Sequence, residues 1–133
     1  MDTTVIQQID IMPTVLGYLN YPDPYFTFGK NALDTTDSHF AIAFTENAYQ
    51  LITGEYLLQF RDDEAVGMYN YESDKLLTNN IAGQDSETQV DMEKFIKAFI
   101  QQYNNRMIQD RLIIDSINQY TNLMEQKSSI PRK

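Results

Sequence analysis

Two groups of acidic side chains are where chemistry would first be sought in this 133-residue chain. Asp34, Asp37 and the only histidine, His39, fall in one short loop. Two carboxylates and an imidazole are ligand types that hold a divalent cation. Their spacing matches no metal motif, however, and acids in a loop of this composition usually cap turns. Asp62, Asp63 and Glu64 are consecutive. A carboxylate pair does acid–base work when its surroundings push the two pKa values apart. This group stands between two β-favouring runs, at a hairpin tip, where water surrounds every member, so a solvated turn is the better reading. Asp10 is the most position-specific acid, and a helix N-cap role before Ile11-Met12-Pro13 accounts for it.

The totals narrow the classes. A chain of this length fits one domain with a real core, and needs no metal or disulfide to fold. The absence of cysteine removes a disulfide framework and thiolate zinc sites. A net charge of −9 argues against nucleic acid, which demands a cationic footprint. No apolar run approaches the roughly 20 residues of a membrane span. The N-terminus lacks a basic region followed by an apolar core, so no signal peptide is expected within it.

The elements that would position these residues read in order. Thr3 to Ile9 is β-favouring and is expected as a strand. Met12, Val15, Leu16 and Leu19 recur at helical spacing, with Gly17 on another face allowing close approach of a neighbour. Asn20 and Tyr21-Pro22 end that helix. Residues 21–38 form a loop that Phe26 and Phe28 pin to the core. Four strands follow, at His39 to Thr45, Ala48 to Thr53, Tyr56 to Arg61 and Ala65 to Tyr71. Gly54-Glu55 between two of them is a type II′ hairpin signal, and Gly67 marks a bulge or close contact. Ser86 with Gln89 suggests a capping box, and Met92, Phe95, Ile96, Phe99 and Tyr103 form an apolar stripe. The stripe resumes at Met107, Ile108, Leu112 to Ile114, Ile117 and Tyr120. A single helix from Thr88 to Met124 would be roughly 55 Å long, so a break near Asn104 to Asp110, or self-association, is expected. The many Tyr and Phe residues read as core and loop anchors.

Two segments resemble a known family. Met68-Tyr69-Asn70-Tyr71-Glu72-Ser73-Asp74, continued by Asn80-Ile81, is similar to the C-terminal signature of sulfatases, in which a short Leu-Tyr-Asp/Asn-Leu strand precedes Asp-Pro-x-Glu-x-x-Asn-Leu. The Asp74 to Asn80 spacing fits, while Lys75 stands for the usual Pro and Leu77 for the usual Glu. Asp10-Ile11-Met12-Pro13-Thr14 resembles the Asp-Ile-x-Pro-Thr motif that follows the catalytic region in the alkaline-phosphatase superfamily, closest to the lipoteichoic-acid-synthase-like phosphoglycerol transferases. The likeness covers most of residues 5 to 83, with a weaker echo in Gln101 to Ile108. Two motifs in the right order are more specific than either alone.

The resemblance implies an α+β fold: a small four-stranded antiparallel sheet with a short N-terminal helix and a long C-terminal helix, forming the C-terminal subdomain of an alkaline-phosphatase-like fold. Residues 1–127 would be one subdomain, with a strand–helix at 1–20 from the edge of the catalytic domain, the sheet at 39–71 and a helical tail at 86–125. Residues 128–133 are expected to be disordered. Enzymes of this kind use a Thr, Ser or formylglycine nucleophile on a divalent metal held by Asp, His and Glu side chains upstream of the Asp-Ile-x-Pro-Thr motif. No Cys-x-Pro-x-Arg or Asp-His-Gly sequence is present, so no catalytic, cofactor or metal residue is assigned here and the chain alone is not expected to be active. The implied parent is a bacterial hydrolase or a phosphoglycerol or phosphoethanolamine transferase, acting on sulfate or phosphate esters outside the cytoplasm and anchored to the membrane by upstream segments. The expected partner is its upstream catalytic domain, with a homodimer through the C-terminal helix also possible. The alternative is a stand-alone interaction or oligomerisation module, which the long apolar stripe favours.

Overall fold

A computed structural model describes residues 4–84 and 86–109. Its elements are a 3-10 turn at Gln8–Asp10, helix α1 (Ile11–Tyr18), strands β1 (Phe40–Thr45), β2 (Ala48–Thr53), β3 (Tyr56–Arg61) and β4 (Glu64–Asn70), and helix α2 (Ser86–Ile108). The strands form an antiparallel meander in the order β1-β2-β3-β4. The α+β architecture expected from the sequence, with a short helix before an open four-stranded sheet and a long one after it, is what the chain adopts.

Two-residue turns set the register. Glu46 and Asn47 both have positive φ (52° and 59°), as do Asp62 and Asp63 (52° and 68°), the conformation of type I′ hairpins whose twist matches the strands. Gly54, at φ 54°, opens the middle turn. Beside Gly67 the pairing shifts, from Gln59↔Gly67 to Phe60↔Ala65, so β4 carries the bulge. Gly67 also meets the close contact expected of it, because a Cβ there would lie 2.9 Å from the Tyr69 ring.

Alternation along the strands puts Phe40, Leu51, Leu58, Phe60 and Met68 on one face, and α2 covers it with Met92 and Ile96. Leu51, Leu58, Met68 and Ile96 are fully buried. Phe95, Phe99 and Tyr103 of the expected stripe work at its margin: Phe95 meets Phe40 edge-on (4.9 Å), and Phe99 and Tyr103 each sit 5.5 Å from Phe28. Phe28 and Phe26 thus anchor the 21–38 loop as expected, with the Arg106 guanidinium 3.8 Å over Phe26. Asn104 and Asn105 do not interrupt α2, which ends at Ile108. Gln89 Oε1 accepts from the Gly83 amide at 2.7 Å, and the Ser86 side chain, the other half of the expected capping box, lies outside what is described. The further stripe from Leu112 to Tyr120, the 110–125 part of the helical tail and residues 128–133 lie outside the described residues.

The N-terminal segment departs from expectation. Residues 4–7 are irregular and Gln8–Asp10 is a 3-10 turn, so no strand forms between Thr4 and Ile9; Thr3 lies outside the described residues. One side chain takes over part of what a strand would do. Gln7 Nε2 donates to the Phe40 carbonyl (3.2 Å) and Gln7 Oε1 accepts from the Ile42 amide (3.0 Å), along the outer edge of β1. Asn80 acts similarly at the opposite edge, where its Oδ1 accepts from the Met68 amide (3.1 Å) and Ile81 N donates to the Met68 carbonyl (2.8 Å). Unpaired edges invite pairing with other chains, and here side-chain amides engage both of them. Helix α1 ends as predicted at Asn20, in a left-handed conformation (φ 50°), with Tyr21 N donating to Leu16 O and Asn20 N to Gly17 O. That pair of bonds is a Schellman termination.

Candidate functional site

The first candidate metal group does not assemble. Asp34 Oδ1 accepts from the Thr36 hydroxyl (2.6 Å) and amide (2.9 Å), and these two bonds, the hydroxyl first, hold its carboxyl below the usual range. Asp37 pairs with Lys30 Nζ at 3.3 Å. His39 Nε2 donates to the Asp34 carbonyl at 2.7 Å, which leaves Nδ1 buried without a hydrogen-bond partner. Asp34 is a turn cap, as the sequence favoured, while Asp37 is a lysine's ion-pair partner instead. Asp62 and Asp63 form a solvated hairpin turn, with Asp63 3.4 Å from Lys97 Nζ, and Glu64 already belongs to β4. Among the described residues, no cluster of three or more His, Cys, Asp or Glu has a geometry that would hold a metal ion.

The residues that carry the family resemblance are structural fasteners. Asp10 is 3 % exposed, but it does not cap α1 as expected: its backbone is already helical (φ −79°, ψ −15°) and its carboxylate points elsewhere. Oδ2 accepts from the Gln7 amide at 2.9 Å and Oδ1 from the Lys30 amide at 2.8 Å. Thr14 Oγ1 donates to the Asp10 carbonyl (2.6 Å) and accepts from the Ala32 amide (2.8 Å). Asp10 and Thr14, one helical turn apart, therefore clasp the loop at residues 30 and 32, with Pro13 buried between them in the chain. The loop must come very close. A Cβ on Gly29 would lie 2.2 Å from the Ile9 carbonyl oxygen, and one on Gly17 would lie 2.6 Å from the Asn31 amide nitrogen. Gly17 thus admits a side chain, where the sequence suggested a neighbouring backbone.

The second motif also organises backbone. Asp74 accepts from the Asn79 amide (2.7 Å) and the Thr78 hydroxyl (3.3 Å), and the Asn79 bond is the chief cause of its lowered pKa. Asn70 accepts from Ser73 N (3.0 Å), and Tyr71 OH donates to the Gly54 carbonyl (2.6 Å). Burial first, then Glu72 and Glu55, raise the Tyr71 pKa. Leu77, where the family has Glu, takes a positive φ of 53° to close the loop.

Among the described residues, several large apolar side chains are exposed. The stripe read on α1 is real in spacing, yet Met12, Val15 and Leu19 are 46 %, 49 % and 66 % exposed, and only Leu16 is half-buried. Ile6, Ile9, Ile11 and Tyr18 extend the same N-terminal region of exposed apolar side chains. Two clefts among the described residues reach the volumes of small-ligand sites. One, of about 450 Å³, lies between Lys30, Phe40, Thr53 and the first turns of α2. The other, of about 530 Å³, opens where α2 leaves the sheet near the Glu46-Asn47 and Asp62-Asp63 turns. It is lined by Phe44, Tyr49 and Phe60, which sequence reading had assigned to anchoring. Turn lengths were the signal that would have found it: two-residue loops at 46–47 and 54–55 place these three residues side by side. In comparison with known proteins, no family model matches this chain and no curated protein matches it significantly.

Proposed function

We propose that this chain is the C-terminal subdomain of a bacterial sulfatase-like hydrolase or phosphoglycerol- or phosphoethanolamine-transferring enzyme of the alkaline-phosphatase superfamily. It works by docking, not by chemistry of its own. The parent's nucleophile and divalent-metal ligands belong to an upstream α/β domain, and the subdomain completes one wall of the substrate cleft. In this reading the enzyme acts outside the cytoplasm, on sulfate or phosphate esters, and upstream segments hold it to the membrane.

The observation that carries the proposal is the exposed apolar face of α1. The helix is fastened rigidly on one side by Asp10, Thr14 and Gly29, and it presents Met12, Val15 and Leu19 on the other. A patch of contiguous apolar side chains on a fixed element marks an interaction surface. It lies on the very segment that resembles the motif joining the catalytic domain to its C-terminal part, which makes that domain the occupant.

Charged substitutions on this face test it. Met12→Asp with Val15→Asp should leave the melting temperature of the 133-residue chain within a few degrees, because neither side chain is in the core. In the full-length gene product the same pair should lower esterase or transferase activity and loosen the protein to proteolysis between the domains. Unchanged full-length activity and protease resistance would sink the docking reading.

A self-association reading rests on a different observation, the exposure of Met107 (50 %) and Ile108 (83 %) at the end of α2. Sedimentation equilibrium decides it: a monomer at high concentration removes it.

A further inference from the structure

Phe44, Tyr49 and Phe60 are cross-strand partners, Phe44↔Tyr49 on β1–β2 and Tyr49↔Phe60 on β2–β3. They form one aromatic row across three strands, on the face that α2 covers further along. Exposure rises steadily along it. Phe60 is buried in the core at 4 %, Tyr49 is half-buried, and Phe44, on the edge strand, is 62 % exposed. The Phe44 and Tyr49 rings are 4.8 Å apart and tilted by 55°, so Phe44 is held in place by its neighbour. Phe44 contributes nothing to the core, where Phe40 and Ile42 from the same face of β1 pack.

This row floors the 530 Å³ cleft, a volume within the range of small-ligand sites. The rim is polar and planar: Asn47 and Gln101 offer amides, Asp62 and Asp63 carboxylates, Arg61 a guanidinium. The charges balance locally. Arg61 faces Asp62 at 3.8 Å and Lys97 faces Asp63 at 3.4 Å, so neither an anion nor a cation would be favoured. Lys97 Nζ also lies 5.5 Å over the Phe60 ring, closing the inner end of the cleft.

An aromatic floor and a neutral rim of hydrogen-bonding groups fit one ligand chemistry well. We infer that this cleft binds a pyranose ring of a neutral saccharide. The C–H face of the sugar lies against the exposed Phe44 ring, with its edge toward Tyr49, which is tilted 55° from that ring, while its equatorial hydroxyls point sideways to Asn47, Asp62, Asp63 and Gln101. Stacking removes water from the exposed Phe44 ring, and the rim groups exchange water for sugar hydroxyls with little net change, so Phe44 supplies most of the affinity. This inference does not rest on the docking proposal, since the cleft and α1 are built from different residues.

The test is saturation-transfer NMR on the 133-residue chain with maltotriose, cellotriose and N,N′,N″-triacetylchitotriose in turn. At least one should receive saturation, strongest on the ring C–H protons. Phe44→Ala should weaken that binding by roughly tenfold, in keeping with an aromatic contact. Its thermal midpoint serves as the control for folding. Gln101→Ala, on the exposed side of α2, should weaken binding by a smaller factor without touching the sheet. Phe95→Ala, beside the other cleft, should leave it unchanged. The inference is overturned if none of the three sugars is saturated, if Phe44→Ala binds as the wild type does, or if Phe95→Ala abolishes the signal instead.

Discussion

At the scale of single residues, Asp10 is where one side chain does the most. Its carboxylate is buried and takes one backbone amide on each oxygen, from Gln7 on one side and Lys30 on the other. Removing such an acceptor leaves two amides short of a partner in a place water reaches poorly, at about 1–3 kcal/mol each. Asp10→Ala should therefore destabilise the chain by roughly 3 kcal/mol, read from the midpoint of urea unfolding. Asp63→Asn is the contrast, because it removes the charge and keeps a side chain that tolerates the φ of 68°. Its pair with Lys97 has a carboxylate side chain 82 % exposed, and a surface pair of this kind is worth about 0.5 kcal/mol or less. Equal effects of the two substitutions would show that the 10–32 clasp is not what fixes α1. The sequence singled out Asp10 correctly as position-specific, but gave it the wrong partners. A cap bonds to amides two or three residues on, which local pattern can suggest; the Lys30 amide is twenty residues away and becomes a neighbour only through the loop.

At the scale of elements, the strands were legible almost to the residue, because alternation and short turns are both local. Each of the four expected strands agrees with the observed one to within a residue at either end. The edge protection was not legible. Gln7 lies in a β-favouring run and Asn80 in a motif loop, and their amides reach the sheet only through tertiary placement. Over its described residues, 4–9, the expected Thr3 to Ile9 strand does not form: the propensity is present, but the segment meets the β1 edge through the Gln7 side chain and not its backbone. The hairpins carry a residual strain. Glu46 occupies a left-handed position (φ 52°) that costs a residue with Cβ about 1 kcal/mol unless its side chain is Asn or Asp. Glu46→Asn should raise stability by roughly 0.5–1 kcal/mol, seen as a higher denaturation midpoint with an unchanged slope. A loss of stability would mean that the β1–β2 turn is not of type I′.

At the scale of the whole molecule, the described elements divide in two: the sheet and α2 cover each other, and α1 stands apart. The sheet and α2 bury each other's apolar faces, whereas α1 is clamped to a loop and turns Met12, Val15 and Leu19 outward. Helical periodicity reports which residues seek burial; it says nothing of what covers them, so the sequence revealed the stripe and not its exposure. The docking proposal supplies a covering partner, a larger catalytic domain of the same polypeptide. The measurement that bears on it most directly is the size of the native gene product, by immunoblot of fractionated source cells with an antibody to this chain. A band several times larger than 15.5 kDa in the membrane fraction is the expected result. A band near 15.5 kDa in the soluble fraction would contradict the proposal, and would leave the α1 face to be covered by a separate protein or a second copy of the chain.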